Sequence, residues 1–202
     1  MSYSIDALTS GCYEGTSCLI NKFDVKDESV LKELETTITL TKTTEYFLDP
    51  IFSTFDVQHY RNIHKYLFGD IYEWAGEYRN VDMSKKGTSF AKADNVEYLM
   101  SKCFNRLNVN NLFQGLSFDD FVENIVDFYC VTNMIHPFRE GNGRTQRVFL
   151  TQLINYNGYT IDFSEIDTDE LMIATIQAAN GVTDYLRDIF KYAIKKQVQG
   201  CS

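Results

Sequence analysis

The sequence is poor in proline and in basic residues. It contains only two prolines and no Ser/Gly/Pro-rich linker, so its 202 residues favour one domain over two independent halves. Lys and Arg number 19 against 28 Asp and Glu, which gives a formal net charge of −9. Because a nucleic-acid backbone selects clustered basic side chains, we expect no direct nucleic-acid binding.

Long apolar runs are also missing. No stretch approaches the roughly 20 apolar residues of a membrane span, and the first residues lack the basic and apolar segments of a secretory leader. These features predict a cytoplasmic protein without a membrane anchor, and they leave secretion as an effector open. The five cysteines form an odd set without metal-ligand spacing, so we interpret them as structural or incidental.

Apolar residues recur at helical spacing, and the β-branched alternation of a sheet is nearly absent. The sequence therefore predicts a mainly α fold, a compact helical domain over 1–202 with one short β-hairpin. We expect the core over about residues 50–195 and a helical N-terminal extension over about 1–49. Predicted helices run from about Asp27 to Phe47 and from about Asp56 to Trp74, and capping-box pairs start others at Asp94/Glu97 and Ser117/Asp120.

The helical period fails between Gly76 and Ala91. Two short segments, 77–84 and 88–91, flank Lys85-Lys86-Gly87 there, which is typical of a hairpin. This segment is the best candidate for the only β-structure.

Residues suited to phosphate chemistry are concentrated between two predicted helices. Gly141-Asn142-Gly143 lies where the second helix begins, so backbone N–H groups can converge on an anion that glycine allows to approach closely. Arg144 and Arg147 are three residues apart, so both can address one polyphosphate. Neither arginine is expected to need a carboxylate partner.

The residues just before this cradle supply a base and a metal ligand. His136 can accept a hydroxyl proton near neutral pH, and Glu140 offers a hard oxygen to the Mg²⁺ that accompanies ATP. We expect Phe138 to turn into the core and support the loop. The alternative is a helix cap at His136, a solvated charge cluster and a simple turn, but so many functional residue types in one junction favour the catalytic interpretation.

The run from His136 to Arg147, HPFREGNGRTQR, resembles the Fic family signature His-x-Phe-x-Asp/Glu-Gly-Asn-Gly-Arg-x-x-Arg at every fixed position. Residues 13–23 and 64–77 also look like that family. The resemblance implies a Fic-type domain that moves AMP from MgATP to a Ser, Thr or Tyr hydroxyl of a target protein or of the chain itself, releasing pyrophosphate.

The resemblance also implies roles for single residues. His136 would deprotonate the hydroxyl, Glu140 would hold Mg²⁺, the backbone of 141–143 would form the anion hole, and Arg144 and Arg147 would hold the outer phosphates. The 76–91 hairpin would be the family's flap, which aligns a target segment as an added strand. The expected docking residues are Val81, Met83, Ser84, Lys85, Lys86, Gly87, Thr88, Ser89 and Phe90. An ordinary surface hairpin is the alternative.

Many members of the family are inhibited by a helix with the motif Ser/Thr-x-x-x-Glu-Gly/Asn, whose glutamate pairs with the second motif arginine. Ser29 and Glu33 fit the first part of this motif within a predicted helix, but Leu34 replaces its last residue. An ordinary core helix is therefore the favoured interpretation. Inhibition by a separate antitoxin-type protein, or by self-association, is the alternative.

Two other functions use related features. A Doc-like phosphotransferase has the same scaffold but carries lysine at the position of Gly143, so glycine favours AMP transfer. A catalytically silent peptide-binding module is disfavoured because His136, Glu140 and Arg147 are all intact.

Overall fold

The computed structural model describes residues 10–49, 54–85 and 87–197. Helices dominate these residues, which confirms the predicted fold class, and none is long and apolar enough to cross a bilayer. The α-helices described are α1 (Glu28–Leu48), α2 (Val57–Phe68), α3 (Val96–Val109), α4 (Phe118–Ile135), α5 (Asn142–Tyr156), α6 (Thr168–Ala179) and α7 (Asp184–Ala193). The antiparallel strand pairs are β1 (Ser84–Lys85) with β2 (Thr88–Ser89) and β3 (Tyr159–Thr160) with β4 (Lys195–Lys196).

Side-chain caps explain where two helices begin. The carboxylate of Asp27 accepts from the N–H groups of Ser29 and Val30 at the start of α1. The hydroxyl of Ser117 accepts from the N–H of Asp120 at 3.2 Å, which confirms the predicted cap of α4.

The predicted capping box at Asp94 is wrong. A short 3₁₀ turn, Ala93–Asn95, precedes α3, and Asn95 caps that helix without a side-chain hydrogen bond. The carboxylate of Asp82 instead accepts from the N–H of Ala93 at 2.8 Å. A side chain of the 76–91 hairpin therefore supplies the hydrogen bond that local spacing assigned to Asp94.

Helix α2 ends at Phe68 rather than at Trp74. The N–H groups of Ile71 and Tyr72 both donate to the carbonyl of Phe68 at 2.9 Å, so the chain turns tightly after Gly69. The apolar residues that extended the helical pattern serve another purpose, because the rings of Tyr72 and Trp74 stack with centroids 4.3 Å apart.

The hairpin between residues 76 and 91 is confirmed, with strands shorter than predicted and Lys85 inside β1. The expectation that it holds the only β-structure is wrong, because β3 pairs with β4. Strands of two residues contain no alternation to detect, so sequence periodicity cannot find them.

The core centres on α2, α4 and α5. Phe149 of α5 is fully buried and lies among aromatic rings, which fixes the helix that carries the loop residues at its start. The ring centroids 5.3 to 5.9 Å from that of Phe149 belong to Phe55, His59, Tyr60, Phe104 and Phe128.

Helix α1 of the N-terminal extension packs against α2. Tyr46 of α1 is fully buried, and its hydroxyl donates to Gln152 of α5 at 3.1 Å and lies 3.2 Å from Nε2 of His59. The extension therefore contacts the helix that begins at the candidate site. The single-domain organisation remains a prediction.

Candidate active site

A short loop joins the end of α4 to the start of α5. His136 caps α4 with φ 50°, and its N–H donates to the Thr132 carbonyl at 3.0 Å. Gly141 precedes α5 with φ 79°. The chain therefore turns through a left-handed residue at each end of the loop.

Only glycine fits at position 141. A Cβ there would lie 2.3 Å from Cζ of Phe68, in addition to the strain of its positive φ. The first intrahelical bond of α5 runs from the N–H of Thr145 to the Gly141 carbonyl at 3.0 Å. The N–H groups of residues 142–144 precede it and lack intrahelical acceptors, so the start of α5 can hold an anion.

The side chain of Asn142 closes the loop. Its Oδ1 accepts from the N–H of Phe138 at 2.8 Å, and its Nδ2 donates to the Phe138 carbonyl at 2.7 Å. Asn142 can therefore serve the anion site only through its backbone. Phe138 is fully buried, and its ring stacks on that of His64 with centroids 3.8 Å apart. This is the position expected of a residue that supports the loop from the core.

His64 links the loop to the start of the flap. Its Nδ1 accepts from the N–H of Gly76 at 2.8 Å, so Nε2 carries the proton and donates to the Glu140 carbonyl at 3.0 Å. Burial lowers the pKa of His64 to about 3, which keeps the ring neutral. Nothing in the sequence indicated these two bonds.

His136 lies beneath the flap. Its ring stacks on that of Phe90 with centroids 3.8 Å apart and planes 5° apart. Burial lowers the pKa of His136 to about 4; the carboxylate of Glu140 opposes this shift, and the charge of Lys85 adds to it. The imidazole is therefore neutral at pH 7 and can accept a proton.

Arg144 is held by two carboxylates. Its Nη2 lies 2.8 Å from Oε2 of Glu35 and 3.3 Å from Oε1 of Glu140, and its Nη1 donates to Oγ1 of Thr39 at 3.3 Å. The guanidinium also lies 4.6 Å above the Phe68 ring. The expectation that neither motif arginine needs a carboxylate is therefore wrong for Arg144.

Glu35 was missed by sequence reasoning. It is buried on α1, where it also accepts from the hydroxyl of Tyr72. Leu31, Glu35 and Thr39 follow one another at intervals of four and are all buried. A glutamate in a buried helix stripe requires a partner, and that signal could have found it.

Arg147 differs from Arg144. It is partly buried, and within the described ranges its guanidinium makes no ion pair or hydrogen bond. Burial lowers its pKa, and Nη1 lies 3.5 Å from the place a Cβ would take at Gly143. Arg147 lines a cavity of about 1110 Å³ together with Lys85, Glu140 and Arg144. Its charge is therefore directed to a site large enough for a nucleotide.

Glu140 is the carboxylate of the cavity that best suits a magnesium ion. It is partly exposed, and its Oε1 accepts from the N–H of Gly141 at 2.9 Å. The described residues contain no cluster of three or more His, Cys, Asp or Glu that could hold a metal alone. One carboxylate fits an ion that arrives with a polyphosphate, because phosphate oxygens and water complete its coordination.

The flap hairpin turns at Gly87, which has φ 81°, while Lys86 lies outside the described residues. Met83 is buried, and its carbonyl accepts from the N–H of Phe90 at 3.1 Å. Phe90 thus extends the pairing of the two strands and reaches His136. The hairpin therefore covers the loop.

The flap leaves backbone groups at both edges. Because residues 83 and 90 form a hydrogen-bonded pair, the next pair, Ser84 with Ser89, directs its N–H and C=O groups outward. Lys85 pairs with Thr88, and its side chain lines the cavity. The carbonyl of Val81, before β1, accepts from Arg79 at 2.6 Å.

Ser29 and Glu33 are exposed on α1, and no contact in the described part of the chain joins either to a motif arginine. Residues two apart on a helix lie about 200° apart, which is why Glu35 faces the site and Glu33 does not. The carboxylate that meets the motif is Glu35, and its partner is Arg144 rather than Arg147.

Within a helical domain, one helix junction thus brings together a neutral imidazole, a carboxylate and two arginines, which are groups suited to transfer of a phosphate-containing group. Comparison with known families gives the specific group. Residues 54–154 match the Fic/DOC family model, and the chain belongs to that family.

Two curated relatives extend the likeness beyond that range. The chain is 32% identical to protein adenylyltransferase VbhT of Bartonella schoenbuchensis over 188 residues, which is 91% of this chain and 39% of VbhT. It is 35% identical to probable protein adenylyltransferase y4lH of Sinorhizobium fredii over 171 residues, 84% of this chain and 88% of that protein. The chain thus spans about two fifths of VbhT and most of y4lH.

A solved structure agrees in fold over almost the whole chain. The BepC protein of Bartonella tribocorum, a VirB-translocated effector with bound AMPPNP, superposes with a TM-score of 0.88 at 30% identity. The match covers 93% of this chain and 97% of the BepC chain.

Proposed function

We propose that this chain is a protein adenylyltransferase, which moves AMP from MgATP to a Ser, Thr or Tyr hydroxyl of a target protein. One observation carries the proposal: a single helix junction holds a neutral His136 beneath the flap and, beside the open position of Gly143, an Arg147 that pairs with no carboxylate among the described residues. A base for a hydroxyl and a cation for a polyphosphate thus share one loop.

The reaction uses these groups separately. Nε2 or Nδ1 of His136 takes the proton of the target hydroxyl, and the hydroxyl oxygen attacks the α-phosphorus. The bond from that phosphorus to the oxygen bridging to the β-phosphate breaks, and pyrophosphate leaves. N–H groups at the start of α5 stabilise the charge on the phosphate oxygens, while Arg147 holds the outer phosphates. Glu140 would hold Mg²⁺, which neutralises phosphate charge when bound.

The flap supplies the docking site for the target. An extended target segment adds to the edge at Ser84 or at Ser89, whose backbone groups point outward. Phe90 of the same hairpin stacks on the imidazole of His136, so the docked segment lies close to the base. Transfer of AMP to the chain itself uses the same edge.

Inhibition comes from another chain, either an antitoxin-type protein or a second copy. Arg147 has no carboxylate partner in the described residues, and Glu33 is exposed elsewhere on α1. The cavity continues along α1 past Thr36, Leu40 and Thr43. This lining offers a partner helix a surface of mixed polarity in the same cavity as Arg147. A glutamate from such a helix would occupy the place of the outer phosphate.

We place the reaction in a cytoplasm, because it consumes ATP. BepC is a VirB-translocated effector, and the likeness to it supports an alternative, in which this chain is delivered to the cytoplasm of another cell.

ATP labelled separately at the α- and γ-phosphates tests the proposed reaction. Incubation with a bacterial cell extract should place the α-label, but not the γ-label, on protein, and His136→Ala should abolish it. Transfer of the γ-label would indicate a Doc-like phosphotransferase instead. A folded protein that transfers neither label to any extract protein or to itself would contradict enzymatic transfer.

A further inference from the structure

Arg79 lies in the chain between α2 and strand β1, and only 4% of its surface is exposed. A buried guanidinium ordinarily has a carboxylate partner, because an unpaired charge is costly to remove from water. In the described residues, the donors of Arg79 go to carbonyl oxygens instead. The charge of Asp82 opposes the effect of burial on the pKa of Arg79, but the described hydrogen bonds of its guanidinium all go to backbone carbonyls.

Four carbonyls from three segments meet at this one side chain. Nε donates to His136 at 2.7 Å, and Nη2 donates to Ile135 at 3.1 Å, at the end of α4. Nη1 donates to Val81 at 2.6 Å, before β1, and Nη2 also donates to Ala91, after β2. The planar guanidinium fork thus joins both arms of the hairpin to the end of the helix.

The end of α4 is suited to a cation. The last carbonyls of a helix lack intrahelical donors and carry partial negative charge. Arg79 satisfies those of Ile135 and His136, and its own backbone N–H donates to the Pro137 carbonyl at 2.9 Å. The backbone on either side of the candidate base is therefore held by one residue.

We propose that Arg79 is a positioning residue that fixes the flap over His136. Val81 and Ala91 lie at the two bases of the hairpin, so bonds to both set its height and tilt. The same side chain holds the backbone of His136, whose ring stacks on Phe90. A target segment on the flap then meets the base in one geometry; this consequence rests on the proposed function, whereas the clamp itself does not.

The stacked rings give a readout that needs no target. The Phe90 ring current should shift the His136 ring protons upfield in the NMR spectrum, and His136→Ala identifies their signals. Phe90→Leu gives their unstacked position. In Arg79→Gln the signals should move toward that position, and flap amides should exchange with solvent deuterium at least about tenfold faster.

Arg61→Gln is the matched control. Arg61 donates to the Gly76 carbonyl at 2.8 Å, at the start of the flap, but its described bonds reach neither α4 nor residues 81–91. Its replacement should leave the His136 signals and the exchange of residues 81–91 unchanged. Arg79→Lys retains the charge without the fork, so it should give an intermediate shift and also provides a folded variant if Arg79→Gln unfolds.

Activity provides the second comparison. α-Label transfer to extract proteins should fall at least about tenfold in Arg79→Gln, while MgATP affinity stays within about twofold. A folded Arg79→Gln or Arg79→Lys protein with wild-type His136 signals and flap exchange would overturn the proposal. So would a parallel loss of ATP affinity and folded fraction. If the wild type labels no protein, the proposed transfer fails, and the NMR comparison still decides the role of Arg79.

Discussion

At the scale of the residue, Arg144 and Arg147 share a motif but differ in how their charges are used. Arg144 is neutralised by Glu35 and Glu140, whereas Arg147 has no partner among the described residues. The first therefore stabilises the fold around the loop, and the second is available to a phosphate. Both roles follow from contacts, since the motif spacing treats the two arginines alike.

Alanine at each position should separate these roles. Arg147→Ala should weaken MgATP binding by about tenfold or more, because charge-assisted bonds to phosphate contribute about 1.5–3 kcal/mol. It should leave the free energy of unfolding nearly unchanged. Arg144→Ala should lower that free energy by roughly 3 kcal/mol, because it leaves the buried carboxylate of Glu35 unpaired.

Calorimetric titration with MgATP and urea denaturation measure the two effects, and Arg144→Ala/Glu35→Gln is the control. The double variant should recover part of the lost stability, because no buried charge is left unpaired. If Arg147→Ala loses stability and retains ATP affinity, the assignment is reversed.

Gly143 offers a test of the cradle. The position is exposed, and among the described residues a Cβ there meets only Arg147, at 3.5 Å, so lysine should be tolerated by the fold. Its ammonium would lie beside Arg147 and the start of α5, where it should misplace the phosphates. We expect Gly143→Lys to lower α-label transfer at least about tenfold with an unchanged melting temperature, whereas Gly143→Ala should retain most activity. Full α-label transfer by the lysine variant would show that this position does not control nucleotide orientation.

The loop residues were predictable because they are contiguous in sequence, but their partners were not. Glu35 and Arg144 are separated by 109 positions, and no local pattern connects them. His64 and Arg79 act through backbone carbonyls and N–H groups, which any sequence supplies. Distant pairs of this kind depend on how the helices pack, and a single sequence does not show which helices pack together.

At the scale of the element, the flap is a hairpin with two strands of two residues each, and Arg79 binds the backbone at its base. Its existence was predictable from the loss of helical period and from the turn residues. Its short strands were not, because the preceding segment bonds to the loop through the N–H of Arg79 instead of extending β1. The same limit explains β3 and β4 and the early end of α2 at Phe68.

Proline scanning of the flap edges tests strand addition. Ser84 and Ser89 point their N–H groups away from the hairpin, so proline at either removes an edge donor without removing an internal bond. One of the two variants should lose most α-label transfer to extract proteins while binding MgATP normally. Alanine at the same position is the control, because it keeps the N–H. Normal labelling by both proline variants would show that no target segment pairs with the flap.

At the scale of the whole molecule, the fold class was predictable from helical periodicity. The protein has few side chains that titrate near pH 6. The sequence has three histidines, His59, His64 and His136. Burial lowers the pKa of each, to about 3 for His64 and about 4 for His136. His64 and His136 are therefore neutral in the folded protein at pH 6, and burial also favours the neutral form of His59, whereas the unfolded chain begins to protonate all three near pH 6.5.

Stability should consequently fall with acidification. The unfolded state binds more protons than the folded state below about pH 6.5, so the free energy of unfolding should decrease from there toward pH 4 and stay level between about pH 7 and pH 8. Each histidine contributes up to about 1.4 kcal/mol per pH unit. Urea denaturation at pH 7, 6 and 5 measures the slope, and His136→Gln should make it shallower. A slope near zero between pH 6.5 and 5 would mean that the histidines are not buried neutral.

The central claim is that one loop separates proton removal from phosphate binding. Single-turnover transfer of the α-label, measured beside equilibrium MgATP binding in the wild type and in His136→Ala, tests it most directly. The account predicts that His136→Ala binds MgATP within about twofold of the wild type but transfers label at least about a hundredfold more slowly, because general-base catalysis contributes that much. Transfer by His136→Ala at close to the wild-type rate would contradict the account.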